Sequence, residues 1–426
     1  MKKIVASVGL VALGSSGLHA DQITGTSTDP SKPWSVSATL RGFYDDNVDT
    51  AHSNPTDSFG WEINPAIGFY TQREGTRFGA SYQYVFKYYD TKPPGNSDHY
   101  DQTHNFDISL SHTFSPRYNI AVQDSFVIGQ EPDVLRAGNA FATFQRVSGD
   151  NVRNYGSIDF NAQLSPVFGL AAGYGNTLFN YADDNGTIDN PSQAGLLNRI
   201  ENAIHIDGRW TLQPQTVGVL GYMFRNQDYT GGEEIGVLED GSIIVSDDRN
   251  SISHYLYVGA DHTFLPTLVG SMRVGARFIE YPNESEGVGN QVAPYVNMSL
   301  SYTYAPQSYL SAGFSYDMNS TDAFSVSGDS FTQNEESAVF FASVNHRITP
   351  KLFGSLLFTF QDSTFNGGSL NNETEQYYLI GLNLKYHFTP HFSAEAGYNY
   401  DLVTDKDNPQ RAYDRNRVYI GVTAAY

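Results

Sequence analysis

The stretch of sequence that decides the fold is FDISLSHTFSP, residues 106–116. Its alternate residues form an apolar set, Phe106, Ile108, Leu110, His112 and Phe114, and a polar set, Asp107, Ser109, Ser111 and Thr113. Alternation with a period of two indicates a β-strand with one apolar and one polar face. Pro116 then ends the strand, because proline has no backbone N–H to donate and favours a tight turn.

The pattern at the end of this segment, an alternating strand followed by proline, recurs along the chain. Prolines close comparable segments at intervals of 40 to 52 residues, at Pro116, Pro166, Pro214, Pro266, Pro306, Pro350 and Pro390. Six of these prolines have an aromatic or imidazole residue four positions earlier, namely His112, Trp210, His262, Tyr302, His346 and Tyr386. Rings with a polar edge at a fixed height near strand ends form an interfacial girdle of a membrane barrel. We assign this girdle to the periplasmic side.

The turns also give the number of strands. Residues 72–76 form an eighth short turn, and eight turns with both chain ends on the same side imply nine hairpins. The sequence therefore predicts an all-β fold, a single transmembrane antiparallel β-barrel of about 18 strands with short periplasmic turns and long extracellular loops. The first strand, around Ala38–Tyr44, is expected to pair with the last, Val418–Tyr426. We interpret Tyr426 as the C-terminal signal that the barrel-insertion machinery recognises.

The N-terminal residues indicate export. Residues 1–20 read as a signal peptide, with two lysines at the start, an apolar core over residues 4–13 and a cleavage point after Ala20. The apolar core is too short for a membrane-spanning helix, which needs about 20 apolar residues. We expect residues 21–33 to be a short polar periplasmic leader and residues 34–426 to form the barrel in the bacterial outer membrane.

Composition excludes several classes of site. The chain has no cysteine, so disulfides and thiolate metal sites cannot form. Its net charge of −21 disfavours nucleic acid as a partner. No serine-centred motif or paired-carboxylate signature is present, and we therefore predict no enzymatic activity, no cofactor and no metal site.

The acidic residues are concentrated in the long loops. Nine loops are placed at residues 45–58, 90–102, 131–152, 182–200, 228–250, 280–290, 317–336, 362–375 and 401–415, and together they hold 35 acidic and 8 basic residues. Together these loops form an acidic rim at the cell surface. An acidic rim keeps the loops soluble, and it also concentrates cations and can share divalent ions with anionic lipopolysaccharide. Loops 228–250 and 317–336 are acidic enough that we expect them to be solvated.

The predicted lumen carries charges of both signs. Alternation directs Asp207, Arg209, Arg273 and Arg277 inward, and these are our first pore-lining candidates. Opposed basic and acidic rows would create a transverse field that orders polar solutes. Inward charges could equally pair across neighbouring strands. The sequence leaves both interpretations open.

The third long loop is a candidate constriction. Its centre, residues 137–144, is uncharged and contains Phe141 and Phe144, which would be poorly accommodated in water. Because a large barrel leaves a wide lumen unless something fills it, we predict that this loop folds inward. Arg136 and Arg146 would then line the opening, with Glu131 and Asp133 near its mouth. The alternative is that the loop packs over the outer rim or against a neighbouring subunit.

Two short motifs resemble a known family. TLRGFYDDNV at residues 39–48, and Gln130-Glu131-Pro132-Asp133 followed by Arg136, are similar to segments of outer-membrane β-barrel porins of the exopolysaccharide-associated, "porin 2"-like type. The resemblance in architecture covers residues 34 to 426. It implies a barrel that passes, or assists the passage of, hydrophilic solutes or polysaccharide.

These observations favour an outer-membrane channel for passive passage of small hydrophilic solutes. An exopolysaccharide-associated export or scaffold barrel is the second hypothesis, and a surface enzyme or adhesin is a distant third. The expected partners are outer-membrane lipid, lipopolysaccharide, the insertion machinery and the solute. The sequence leaves monomer and homo-oligomer open.

Overall fold

The computed structural model describes residues 32–92, 98–130, 149–182, 186–188, 191–283 and 289–426. Eighteen strands form one sheet. They are β1 (Trp34–Asp45), β2 (Ser58–Arg73), β3 (Thr76–Tyr89), β4 (Tyr100–Ser115), β5 (Tyr118–Gly129), β6 (Asn151–Gln163), β7 (Phe168–Tyr181), β8 (Arg199–Gln213), β9 (Thr216–Tyr229), β12 (Ser251–Leu265), β13 (Leu268–Glu280), β14 (Gln291–Ala305), β15 (Ser308–Asn319), β18 (Asn334–Arg347), β19 (Leu352–Asn366), β20 (Thr374–Thr389), β21 (Phe392–Asp405) and β22 (Tyr413–Ala425).

The remaining described elements lie in the long loops. They are α1 (Gln193–Leu197), the hairpin of β10 (Glu234–Val237) and β11 (Ile243–Val245), the 3₁₀ turns Ser246–Arg249 and Pro409–Arg411, and the hairpin of β16 (Val326–Ser327) and β17 (Ser330–Phe331). No helix in the described part of the chain is long and apolar enough to cross a bilayer.

The sheet closes on itself. Each barrel strand pairs antiparallel with the next along the chain, and β1 also pairs with β22, with Ala38 opposite Ala424 and Tyr44 opposite Val418. Closure removes both sheet edges, so every strand has hydrogen-bonded neighbours on both sides, as a membrane interior requires. The predicted 18-stranded barrel and the pairing of its first and last strands are confirmed.

The short turns lie where the prolines and residues 72–76 predict them. In the first turn Glu74 and Gly75 both have positive φ, 38° and 84°. Two such residues make a type I′ turn, whose twist matches that of the flanking strands. The other short turns contain the seven prolines or adjoin them directly. Short turns thus mark one end of the barrel and long loops the other.

The two faces of the strands follow the predicted alternation. On β4 the apolar residues point outward, and Phe106, Ile108 and Phe114 are 41%, 46% and 61% exposed. An exposed apolar face around the whole barrel is a surface for lipid, where a charged side chain at the midplane costs about 2–4 kcal/mol. The polar set of β4, including Asp107 and Ser109, points into the barrel.

Candidate functional site

The predicted girdle residues lie on the outer face near the short turns. Trp210, Tyr302 and Tyr386 are 36% to 41% exposed. Two of the histidines share one arrangement, in which the imidazole Nδ1 lies within hydrogen-bond distance of a threonine hydroxyl on the next strand, Thr76 for His112 and Thr216 for His262 (2.6 and 2.8 Å). His346 bonds to the hydroxyl of Tyr304 at 3.0 Å. Tyr426 is 60% exposed at the same end.

A second girdle, which the sequence did not identify by residue, lies toward the long loops. Outward tyrosine hydroxyls bond to polar side chains on adjacent strands at 2.5 to 2.8 Å, in the pairs Tyr84–Gln102, Tyr174–Asn202, Tyr222–His254, Tyr316–Glu336 and Tyr398–Asn416. Gln102 and His112 are ten residues apart on β4, which is about 33 Å along a strand. A tilt of about 40° reduces this to about 25 Å, the height of the apolar band of such barrels.

Charged residues on the inner wall of β8 and β9 form a triad around one carboxylate. Glu201 accepts a hydrogen bond from Arg199 Nε at 2.8 Å and another from Arg225 on the neighbouring strand. All three are buried, with Arg199 at 0%, Glu201 at 4% and Arg225 at 5% exposure. Two guanidinium groups therefore share one carboxylate in a site that is almost closed to solvent.

A second set of contacts continues this network across the next strands. Arg277 on β13 lies 3.2 Å from Asp317 on β15, and the Tyr255 hydroxyl on β12 donates to the other oxygen of Asp317 at 3.1 Å. Arg277 also donates to Ser253 Oγ at 3.0 Å. It donates as well to the carbonyl oxygen of Met318, so this pore-lining candidate is held by three partners and is only 3% exposed.

Two of the other three pore-lining candidates, Arg209 and Arg273, meet at Asp261. Arg209 Nη2 and Arg273 Nη2 lie 2.7 and 2.8 Å from the two oxygens of that carboxylate. Asp207 instead accepts a hydrogen bond from the Tyr257 hydroxyl at 2.6 Å. The sequence placed these residues on the inner face, but it did not identify their partners.

A small residue on the intervening strand explains the bond between Asp207 and Tyr257. Both are in register with Gly221 on β9, which lies between β8 and β12. A Cβ at Gly221 would overlap the Tyr257 ring and the Asp207 carboxylate. An inward glycine between an acid and a tyrosine is the sequence signal that could have predicted this contact.

A third cluster lies beside the closure of the barrel. Arg41 on β1 lies 2.7 Å from Glu62 on β2 and 2.6 Å from Glu395 on β21, and Lys87 lies 3.8 Å from Glu62. Of the two interpretations of the inward charges, the contacts therefore favour pairing within the wall. Because these charges are paired, little free positive charge faces the lumen along these strands.

The inner wall of β3 to β6 has a different character. Its half-buried side chains are mainly amides and hydroxyls, namely Ser81, Gln83, Asn105, Ser109, Gln123, Ser125, Ser157 and Asn161. Two carboxylates, Asp107 and Asp159, lie among them, and β4 and β5 contain no lysine or arginine. This polar surface, which we call the polar wall, can hydrogen-bond a passing solute as donor and as acceptor.

The long loops pack together at the opposite end from the short turns. Ile235, Ile244 and Phe331 are 0%, 2% and 3% exposed and form a cluster with Leu238, against which Leu196 also packs. These residues come from three loops. We call the assembly of residues 192–198, 230–250, 320–333, 367–373 and 406–412 the loop cover. Loops 228–250 and 317–336 are solvated only in part, because their few apolar residues are buried against one another while most of their acidic residues stay exposed or half-exposed.

Arg249 joins three loops of the cover. Its guanidinium donates to the carbonyl oxygens of Leu196 (3.1 Å) and Thr321 (2.8 Å), and it lies 4.8 Å from the Tyr229 ring centroid. Its exposure is 1%. Among the described residues no carboxylate forms an ion pair with it, and burial lowers the pKa of Arg249 from its ordinary value. Carbonyl oxygens therefore take the place of a counter-ion.

Ion pairs extend the cover to the last loop. Arg411 lies 3.1 Å from Asp322 and 2.9 Å from Glu375. Asp322 follows β15 and Arg411 precedes β22, so the contact joins strands that stand five positions apart in the ring. Ala323, Phe365 and Leu370 form a small apolar cluster in the same region. Contacts between such distant strands require the loops to lean inward from the rim.

The predicted constriction lies outside the described residues. Glu131, Asp133, Arg136, Phe141, Phe144 and Arg146 all belong to residues 131–148. In the part of the chain that the structure describes, no group of three or more His, Asp or Glu side chains is arranged to hold a metal ion.

The fold and its two faces define the class of protein. A closed, 18-stranded antiparallel barrel with an apolar exterior, girdles at both ends of the band and a polar interior is an outer-membrane β-barrel. A family model described as "Putative beta-barrel porin 2" matches residues 336–426. This stretch comprises β18 to β22 and two loops of the cover.

Several solved structures match most of the chain at low sequence identity. OpdK of Pseudomonas aeruginosa with vanillate is 12% identical, with a TM-score of 0.43 and coverage of 92% of this chain and 99% of that chain. OccAB4 of Acinetobacter baumannii is 12% identical, with a TM-score of 0.43 and coverage of 94% and 100%. A BenF-like porin from Pseudomonas fluorescens Pf-5 is 11% identical, with a TM-score of 0.44 and coverage of 92% and 99%. No curated protein sequence matches the chain.

Proposed function

We propose that the protein is a passive outer-membrane channel for small hydrophilic solutes. The observation that carries the proposal is the polar wall of β3 to β6, where half-buried amides and hydroxyls line the inside of a closed barrel. A solute that loses part of its hydration there can exchange water for these groups. Conductance steps in planar bilayers and swelling of solute-loaded vesicles test the proposal. A folded protein that gives neither signal would refute it.

The channel is expected to prefer cations at low salt. The rim is acidic, Asp107 and Asp159 lie in the polar wall, and the inward arginines of β8 to β13 are paired with carboxylates. Exposed charge is screened within about 8 Å at physiological ionic strength, so the preference should fade as salt rises. Reversal potentials in a potassium chloride gradient measure it.

A double variant separates the contribution of the wall from that of the rim. D107N/D159N should reduce the cation preference if the wall sets it and leave it unchanged if the acidic loops set it. A preference for anions would contradict the expectation, because it would mean that the paired arginines still govern the lumen.

We also propose that the third long loop, residues 131–152, constricts the pore. The support is its sequence, since an uncharged centre with Phe141 and Phe144 is better accommodated inside a barrel than in water. In this arrangement Arg136 and Arg146 line the opening. Deleting residues 137–144 is expected to raise single-channel conductance, and unchanged conductance in a correctly folded deletion would exclude an inward position.

Passage of polysaccharide, in the exopolysaccharide-associated sense, is the second candidate. The polar wall favours it, because amide and hydroxyl groups match the alternating donors and acceptors of sugar hydroxyls. Linear oligosaccharides should then interrupt the ionic current at concentrations where polyethylene glycol of equal mass does not. If both polymers interrupted the current equally, polysaccharide passage would be excluded and only the general solute channel would remain.

A further inference from the structure

The outer surface where the barrel closes carries an apolar groove. It has a volume of about 290 Å³ and is lined on the lipid side by Ala38, Leu40, Ile63, Phe392, Val422 and Ala424. The groove exists because two alanines, in register on β1 and β22, stand between larger side chains such as Leu40 and Ile63 (52% and 42% exposed). A hydrocarbon chain is the natural occupant of such a groove in a membrane.

A cation lies at the short-turn end of the same seam. Lys32 Nζ is 3.9 Å from the ring centroid of Tyr426 and 5.4 Å from that of Trp34, and the two rings are 5.7 Å apart. A cation over two aromatic faces is held at the interface rather than extended into water. Among the described residues no carboxylate forms an ion pair with Lys32. As far as the described residues go, its charge is therefore open to an anion from the membrane.

The groove and Lys32 are close enough together for one lipid molecule to contact both. Ala38 follows Trp34 by four residues on the same face of β1, which is about 13 Å along the strand. A headgroup phosphate beside Lys32 would direct its acyl chain up the seam into the groove. We propose that this seam binds one phospholipid with a net negative headgroup, its phosphate at Lys32 and an acyl chain between Ala38 and Ala424.

Two tryptophans provide a matched measurement. Trp34 at the seam and Trp210 on β8 both lie in the girdle near the short turns and are 40% and 41% exposed. The variant W61F/W210F keeps only Trp34, and the variant W34F/W61F keeps only Trp210. In vesicles, the fluorescence of each remaining tryptophan is quenched by phosphatidylglycerol or by phosphatidylcholine with brominated acyl chains. We expect Trp34 to show about fivefold preference for phosphatidylglycerol, the ratio that corresponds to about 1 kcal/mol for one basic residue at an anionic surface. Trp210 should show none.

Substitutions at the two parts of the site complete the test. K32Q should abolish the preference, whereas K351Q should not, because Lys351 is a basic residue of another short turn that donates to the Phe388 carbonyl oxygen at 3.2 Å. A38L should fill the groove and weaken quenching of Trp34, whereas A276L on the outer face of β13 should not. Equal quenching of Trp34 by both lipids, or a preference that survives K32Q, would overturn the proposal.

Discussion

Replacing Glu201 with glutamine is expected to destabilise the barrel by about 3–5 kcal/mol, the usual effect of removing one partner from a buried ion pair. The carboxylate serves Arg199 and Arg225 together, and all three residues are at most 5% exposed. Glutamine has nearly the same shape but no charge, so E201Q leaves the buried Arg199 guanidinium without a counter-ion and leaves Arg225 with only Asp317, 3.9 Å away. Urea unfolding in lipid vesicles, followed by tryptophan fluorescence, measures the loss.

A second ion pair in the same protein is the control. Asp322 and Arg411 are 3.1 Å apart, and each side chain is 22% exposed. Solvent screens a partly exposed ion pair, and exposed pairs contribute about 0–1 kcal/mol, so D322N should change the free energy of unfolding much less than E201Q does. If E201Q and D322N had equally small effects, the triad would be hydrated and the wall of β8 and β9 would face open water.

Most of the barrel could be predicted because strands in a membrane obey two local rules. Alternation assigns the two faces of β4 and β20, and prolines such as Pro116 and Pro390 mark the turns. The number of strands then follows from the number of turns. Both rules act over a few residues and need no knowledge of tertiary contacts. Closure between β1 and β22 then followed from the count, since a spanning sheet cannot leave an edge in lipid.

The partners of the inward charges could not be predicted by the same rules. Alternation correctly directs Arg209 into the barrel, but its partner Asp261 lies on β12, one strand beyond the neighbour β9. The cross-strand rule considers directly paired strands only. Inside a curved wall long side chains reach past a neighbour, and small residues such as Gly221 decide where they can do so.

The loop cover was missed for a different reason. Loop 228–250 is rich in acidic residues, and composition therefore indicated a solvated loop. Ile235 and Ile244 are buried with Phe331, which lies about 90 residues further along the chain. No window of sequence contains both halves of this contact, so neither composition nor periodicity could indicate it. A few apolar residues in each of several acidic loops are enough to build a small core.

Removing the β10–β11 hairpin is expected to raise single-channel conductance several-fold, because it takes Ile235, Leu238 and Ile244 out of the loop cover. The hairpin can be removed without stretching the chain. Ser246 N donates to Glu233 O at 2.9 Å, so two glycines can replace residues 234–245. Conductance in planar bilayers is compared with that of the unaltered protein, and the change in gel mobility on heating shows whether the barrel has folded.

The two faces of this hairpin supply a matched pair of substitutions. I235S/I244S alters residues that are 0% and 2% exposed, whereas V237S/I243S alters residues of the same hairpin that are 38% and 52% exposed. Only the first variant should weaken the docking of the hairpin, raise conductance and add current fluctuations. If a folded deletion conducted like the unaltered protein, the cover would lie beside the opening rather than over it. The polar wall would then face an aperture that the described loops leave clear, and the restriction of the pore would have to come from residues 131–148.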